Sequence, residues 1–140
     1  LASGATCLDV GTGSGILAIA AVKLGARTVV GCDIDPIAVE IAARNGSQNG
    51  CGAKVRWFLG DAEKTRPFQP GCLVANLTVE LIEEEFRKLE QRVKRGAFMI
   101  LSGLLNRQAS RVERLRRQSS LRLRRRLTKG EWTCLVYVRP

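Results

Sequence analysis

Several polar residues come directly after short apolar runs that read as β-strands, which makes them candidate ligands of one binding site. They are Asp9, Asp33, Asp61 and Asn76, with Ser102 and Gly103 as secondary candidates. Ligands of parallel α/β sheets bind beyond the carboxyl ends of the strands. Carboxylate oxygens accept hydrogen bonds from hydroxyl groups, and an amide oxygen accepts one from an amine. The pattern therefore predicts a site that binds hydroxyl-bearing and cationic groups.

A glycine-rich turn follows the first of these runs. Gly11, Thr12, Gly13 and Gly15 separate the apolar run that contains Asp9 from an Ala- and Leu-rich segment that favours a helix. A dinucleotide-binding turn has the pattern G-x-G-x-x-G. Here the third glycine comes one residue early, and no G-K-[ST] of a phosphate-binding loop follows. An acid before the glycines suits a ligand with an ammonium or sulfonium charge better than a pyrophosphate, so the turn favours a nucleoside ligand.

A second strand ends at Asp33, 18 residues after Gly15. This spacing is close to that at which a carboxylate binds the hydroxyls of a ribose. The alternative interpretation of Asp33 is a loop residue or helix cap. Asp35 fits the capping role better because it directly precedes Pro36, and Asp followed by Pro is typical of a helix start.

The remaining pattern alternates strands and helices. Strands are predicted near 6–10, 27–33, 54–60, 72–76 and 97–102, and helices near 14–24, 36–49, 78–94 and 105–118. Two further strands, near 121–127 and 132–138, are joined by Lys129-Gly130, which predicts an antiparallel hairpin. We expect Trp132 to pack in the core. The fold class is α/β, with a doubly wound, mostly parallel seven-stranded sheet that ends in this hairpin.

Composition excludes several kinds of chemistry. The 140 residues contain no histidine, so a Ser-His-Asp triad and histidine metal sites are excluded, and no metal-ligand spacing is seen. The length predicts one domain, residues 1–140. We expect no membrane span and no signal peptide, and the five cysteines read as reduced thiols of a cytoplasmic protein.

Positive charge is concentrated in the last third of the chain. Residues 1–90 carry 9 basic and 11 acidic residues, whereas residues 91–140 carry 14 basic and 2 acidic ones. Most of the excess lies between Arg107 and Lys129, and no aromatic residues are interleaved with it. Such a segment is typical either of RNA contact or of a solvated helix and a charged edge strand.

The sequence resembles the seven-stranded class of S-adenosylmethionine-dependent methyltransferases, which share a Rossmann-like fold. More narrowly, it resembles the PrmA-type family, which methylates the large-subunit ribosomal protein L-eleven. The matching stretches are LDVGTGSGILAIAAVKLGA at 8–26, VGCDIDP at 30–36, VANL at 74–77, ILSGLL at 100–105 and Glu131-Trp132. They span most of the chain.

The resemblance implies a role for each matching residue. Asp9 and the Gly11–Gly15 turn would hold the methionine part of S-adenosylmethionine, Asp33 its ribose, and Ile34 would pack on the adenine. Asp61, with Ala62, would face the adenine edge. Asn76 would lie beside the transferring methyl group and accept from the incoming amine. These roles predict a protein N-methyltransferase that acts on a lysine or N-terminal amine of a ribosomal protein.

Few residues come before the first predicted strand, so we expect this sequence to contain neither the family's amino-terminal substrate-binding domain nor its Thr- and His-containing segment. This departure leaves the methyl acceptor open. The alternatives are an RNA methyltransferase, which the basic segment favours, and a non-catalytic module with the cofactor-binding fold that binds RNA or protein.

Overall fold

The computed structural model describes residues 4–140 as one mixed sheet with helices on both faces. The strands are β1 (Thr6–Val10), β2 (Thr28–Asp33), β3 (Val55–Leu59), β4 (Cys72–Asn76), β5 (Phe98–Leu105), β6 (Arg122–Lys129) and β7 (Trp132–Val138). The helices are α1 (Ile16–Lys23), α2 (Pro36–Gln48), α3 (Val79–Arg92) and α4 (Ala109–Leu115). Short 3-10 turns cover Ala62–Thr65 and Arg116–Gln118.

The order of the strands in the sheet is β3-β2-β1-β4-β5-β7-β6. The first five strands are parallel to one another, and β7 pairs antiparallel with both β5 and β6. This arrangement confirms the predicted fold class and hairpin. Because the chain moves outward in one direction through β1, β2 and β3 and in the other from β4, its topological switch point lies between β1 and β4.

Apolar side chains fill a layer on each face of the sheet. One layer lies under α3 and α4 and includes Leu8, Leu73, Phe86 and Tyr137. The rings of Phe86 and Tyr137 pack edge to face, with their centroids 6.2 Å apart. The other lies under α1 and includes Cys7, Val29 and Cys72. The central strands are buried on both faces, as expected for a parallel sheet, and this rigid base holds the carboxyl ends of the strands in position.

Local capping agrees with the sequence at α2, where the Asp35 side chain accepts from the backbone N–H of Ile37 at 2.9 Å and Pro36 begins the helix. The prediction was less accurate after β4. Strand β5 continues to Leu105, beyond the predicted end, because Gly103 adopts a φ of 82° and pairing with β7 resumes at Leu104. The next helix consequently begins at Ala109 and not near 105.

The prediction for Trp132 was wrong, since its side chain is 54% exposed. On β7 the buried residues are Thr133, Leu135 and Tyr137. Because successive side chains of a strand point to opposite faces, Trp132 faces away from the α3–α4 layer.

Four of the five cysteines are buried, and all five are free thiols. Within residues 4–140, no helix is long and apolar enough to cross a membrane.

Candidate functional site

The glycine turn lies at the switch point, directly after β1 and before α1. Gly13 has a φ of 52°, and a Cβ added there would meet nothing within 4 Å, so this residue borders open space. Gly15 has a φ of 82°, and a Cβ there would lie 2.9 Å from the Trp57 ring and 3.1 Å from the Cβ of Ala42. Gly13 therefore leaves room for a ligand, whereas Gly15 is required by its backbone conformation and by packing below the turn.

Trp57 supports the turn from β3. A Cβ added to Gly31, its partner on β2, would lie 2.6 Å from the indole, and one added to Gly46 on α2 would lie 2.8 Å from it. Glycines on the turn, on β2 and on α2 thus make the space for this one side chain. The sequence analysis did not single out Trp57, and its pairing with Gly31 becomes visible only once the β2–β3 register is known.

Asp9 lies beneath the turn and is fully buried. Its Oδ2 accepts from the Thr12 hydroxyl at 2.6 Å and from the backbone N–H of Ala18 at 3.0 Å. Its Oδ1 has no hydrogen-bond partner among residues 4–140. Burial raises the pKa of Asp9 to about 6, although the bonds from Thr12 and Ala18 act in the opposite direction. Asp9 and Thr12 therefore hold the turn together, and the carboxylate keeps one oxygen free.

Asp33 lies beside the turn at the end of β2. Its Oδ2 accepts from the backbone N–H of Gly13 at 2.9 Å, and its Oδ1 accepts from the backbone N–H of Asp35 at 3.1 Å. The side chain is half-buried, and each carboxylate oxygen has a further lone pair. This geometry places an oriented hydrogen-bond acceptor next to the open side of Gly13.

Three other predicted residues border the same edge. Ile34 is 78% exposed. Asp61 is half-buried and caps the following 3-10 turn by accepting from the backbone N–H groups of Glu63 at 3.1 Å and Lys64 at 3.2 Å. Ala62 is buried and belongs to the core layer under α3 and α4, so its side chain takes part in packing.

Asn76 ends β4, the strand on the other side of the switch point, and is exposed. Its side chain makes no hydrogen bond within residues 4–140. Its strand partner is Ser102, and a Cβ added to Gly103 would lie 2.5 Å from the Oδ1 of Asn76. Gly103 therefore makes space for the Asn76 amide. The secondary candidates Ser102 and Gly103 thus lie next to Asn76 in the fold.

An open cleft of about 430 Å³ adjoins Asn76. Besides Asn76, Ser102 and Gly103, it is lined by Leu127, Lys129 and Trp132 from the β6–β7 hairpin. Sequence reasoning missed the hairpin residues, because only the insertion of β7 next to β5 brings them to the site. Among residues 4–140, no group of three or more acidic, Cys or His side chains is arranged to hold a metal ion.

The arrangement is suited to two ligands. Asp9, Gly13 and Asp33 form a polar niche at the carboxyl ends of β1 and β2, and Asn76 stands between this niche and the cleft under the hairpin. In the first part, Asp33 offers a hydrogen-bond acceptor for hydroxyl groups and Asp9 a buried carboxylate, which are the groups that a cationic nucleoside requires. A second molecule fits the cleft.

Several known proteins resemble this chain in sequence or in fold. The chain is 45% identical over 131 residues to the ribosomal protein L11 methyltransferase of Geobacter metallireducens, a match that covers 93% of this chain and 42% of that protein. The structure of a ribosomal protein L11 methylase from Lactobacillus delbrueckii subsp. bulgaricus superposes with a TM-score of 0.92 at 29% identity, over 99% of this chain and 72% of that one. An RNA methyltransferase from Salinibacter ruber, solved with S-adenosyl-L-homocysteine, shares the fold with a TM-score of 0.79 at 20% identity, over 97% of this chain and 81% of that one.

This chain thus spans less than half of the length of the Geobacter protein. The model of the family described as ribosomal protein L11 methyltransferase (PrmA) matches residues 1–140, the whole of the chain. The chain belongs to the ribosomal protein L11 methyltransferase family.

Proposed function

We propose that this chain is the S-adenosylmethionine-binding, methyl-transferring domain of a protein N-methyltransferase whose substrate is an amine of a ribosomal protein. The observation that carries the proposal is the position of Asp33, fixed by the Gly13 N–H beside an open turn and across the switch point from Asn76. The family membership supports the same reaction.

Several features of the niche fit the cofactor. Asp33 has free lone pairs for both hydroxyls of a ribose. Gly13 leaves the space that a ligand requires above the turn. The Oδ1 of Asp9 is a buried acceptor without a partner among residues 4–140, and its charge acts on an ammonium or sulfonium above the turn. Ile34 offers an exposed apolar side chain to an adenine ring, and Asp61 faces the same edge.

S-adenosylmethionine supplies an activated methyl group on a sulfonium centre, so the protein's contribution is mainly to position the acceptor. The Asn76 carbonyl accepts a hydrogen bond from an amine and thereby orients its lone pair. Lys129 lines the same cleft, and its positive charge disfavours the protonated form of an amine there. Leu127 and Trp132 suit the aliphatic stem of a lysine. The site thus holds an aliphatic amine in its neutral, reactive form.

Titration calorimetry with S-adenosylhomocysteine tests the first part. Asp33→Ala is expected to weaken binding by about 1.5–3 kcal/mol, as for the loss of charged hydrogen bonds. Glu40→Gln, which removes an exposed carboxylate on α2, is the matched control and should bind like the parent chain. No binding at millimolar ligand by the parent chain would contradict the proposal.

Transfer of a labelled methyl group tests the second part, with a large-subunit ribosomal protein and ribosomal RNA offered in parallel. Label is expected in the protein, and Asn76→Ala is expected to lower kcat while leaving the affinity for S-adenosylhomocysteine within a few-fold. Label confined to RNA would show that the chain is an RNA methyltransferase.

A further inference from the structure

We propose that a second surface of this protein, remote from the cofactor niche, binds the phosphate backbone of RNA. The arginine edge is defined here as the side chains of Arg114, Arg116, Arg117, Arg122, Arg124 and Arg125. All six are exposed. They come from the end of α4, the 3-10 turn that follows it and β6, at the end of the sheet opposite to β3.

The positive charge of the arginine edge is not balanced by carboxylates in the described part of the chain. Within residues 4–140, none of its six guanidinium groups forms an ion pair. By contrast, Arg111 pairs with Glu80 and Glu83, and Arg126 pairs with Glu113 at 3.2 Å. The structure therefore divides the basic segment into cations that hold α4 in place and cations that have no partner in the fold.

The edge also has a concave part. A cleft of about 360 Å³ lies between α4 and β6, lined by Arg114, Arg116 and Arg117 together with Ser110, Glu113 and Leu123. The one carboxylate in this cleft is that of Glu113, and Arg126 neutralises it. Three planar guanidinium groups around a cleft match the shape and charge of phosphate groups.

Defence of an exposed edge strand against pairing explains charges on β6 but not those at the end of α4. Lysine and arginine on an edge strand discourage association with other strands. Arg114, Arg116 and Arg117 lie outside that strand, so edge protection does not explain them. Arg122 and Arg125 pair with Val138 and Val136 and lie on the face of the sheet opposite to α4, so the arginine edge carries charge on both sides of β6. Unpaired charge that edge protection does not explain favours a binding role.

The chemistry of the surface selects the partner. The arginine edge contains no aromatic side chain on which a base could stack. It would therefore bind the phosphate backbone of the RNA, independent of the RNA sequence. A membrane-binding surface needs a broad apolar face, and the exposed large apolar residue of β6 is Leu127 alone. The choice of RNA over other polyanions rests on the proposed function, since a ribosomal-protein substrate is met beside ribosomal RNA.

Fluorescence anisotropy with a labelled RNA hairpin tests the proposal on the whole chain. Six phosphate contacts predict that log K falls against log salt with a slope of about −5, a loss of about 10³-fold in affinity between about 50 and 200 mM salt. The triple variant Arg116→Gln/Arg117→Gln/Arg124→Gln is expected to make that slope shallower by about 3. The corresponding Arg→Lys triple variant keeps the charge and should retain most of the slope.

The matched control is Arg27→Gln/Arg44→Gln/Arg56→Gln, which removes the same charge from exposed positions near the other end of the sheet. It should leave the slope unchanged. Equal losses in both triple variants, a salt slope near zero in the parent chain, or tighter binding to a DNA duplex or to anionic vesicles than to RNA would each overturn the proposal.

Titration of the same variants with S-adenosylhomocysteine separates this proposal from the proposed function. The arginine-edge variant should bind it as the parent does. Loss of RNA binding with intact ligand binding defines the surface. Failure of the parent to bind S-adenosylhomocysteine would count against the proposed function, and the anisotropy measurement would still decide separately whether the arginine edge binds RNA.

Discussion

When Asp9 is replaced by asparagine, the stability of the variant relative to the parent chain should increase as pH rises from acidic to neutral. The same replacement should weaken the ligand site. Burial raises the pKa of Asp9 from 3.8 to about 6. The folded state therefore holds this proton more tightly than the unfolded chain does, and keeping Asp9 ionised beneath the turn destabilises the fold. Its contribution to the free energy of unfolding falls as pH rises between these two values, by about 3 kcal/mol at about 1.4 kcal/mol per pH unit.

Asparagine keeps an oxygen for the Thr12 hydroxyl and the Ala18 N–H but does not titrate. The amide NH₂ that replaces Oδ1 is a buried donor without a partner, which lowers stability by a similar amount at every pH. The test is therefore the pH dependence of the difference between variant and parent. Relative to the parent, Asp9→Asn is expected to gain about 3 kcal/mol between about pH 4 and about pH 8.

Urea denaturation without ligand, followed by circular dichroism across this range, measures the difference. Glu40→Gln is the control for the loss of one negative charge. A difference that stays constant with pH, or that grows equally in the control, would refute the reasoning, because Asp9 would then be an ordinary stabilising residue of the turn.

The same charge should act on the ligand. S-adenosylhomocysteine keeps the ammonium group of its methionine part, so its affinity for the parent chain is expected to fall as pH drops below about 6 and Asp9 takes up a proton. In Asp9→Asn the affinity at pH 7 should already be low, and calorimetry should find little further change down to about pH 5. A buried charge that destabilises the fold but binds a ligand is a common trade at functional sites.

Two further predictions concern the packing around the site. Gly31→Ala is expected to lower the free energy of unfolding by about 1–3 kcal/mol because its Cβ would lie 2.6 Å from the Trp57 ring. Gly52→Ala, with nothing within 4 Å of the added Cβ, should be neutral or slightly stabilising. Equal effects of the two substitutions in urea denaturation would contradict the predicted clash with Trp57. Glu83→Gln removes a charge that Arg111 meets with hydrogen bonds of 3.0 and 2.5 Å, but both side chains are about a third exposed, so we expect a loss below about 1 kcal/mol that shrinks in high salt. Glu84→Gln, on the exposed side of α3, should change stability less, and a larger loss there would show that Arg111 is not the reason.

The proximity of Asp9, the glycine turn and Asp33 was predictable from the sequence, because these residues follow strands with strong local signals. Asp9, the glycine turn and Asp33 lie within one strand–helix–strand unit, and parallel pairing of β1 with β2 brings them together. Local sequence patterns could not predict the hydrogen-bond partners of these polar groups. Thr12 donates to Asp9, and both oxygens of Asp33 accept backbone N–H groups, which only the folded turn shows.

The surroundings of Asn76 were predicted less well. Asn76 was identified from its position after β4, but the hairpin residues around it come from about 50 positions later in the chain. Alternation along β7 marks Trp132 as facing away from Leu135 and Tyr137, yet the apolar character of the strand suggested the core. The end of β5 was misplaced for a related reason, since the irregularity at Gly103 depends on pairing with β7.

The position of β7 has a consequence for the way the protein is made. This strand lies between β5 and β6 although it follows both of them in the chain. Until Trp132–Val138 has left the ribosome, one edge of β5 has no neighbour, and β6 has no strand through which to join the sheet. The sheet is therefore completed in one late, long-range step, and a nascent chain stalled before Trp132 presents the unpaired, apolar edge of β5 to other chains. A pause in synthesis before Trp132 would therefore prolong the exposure of this edge to other chains.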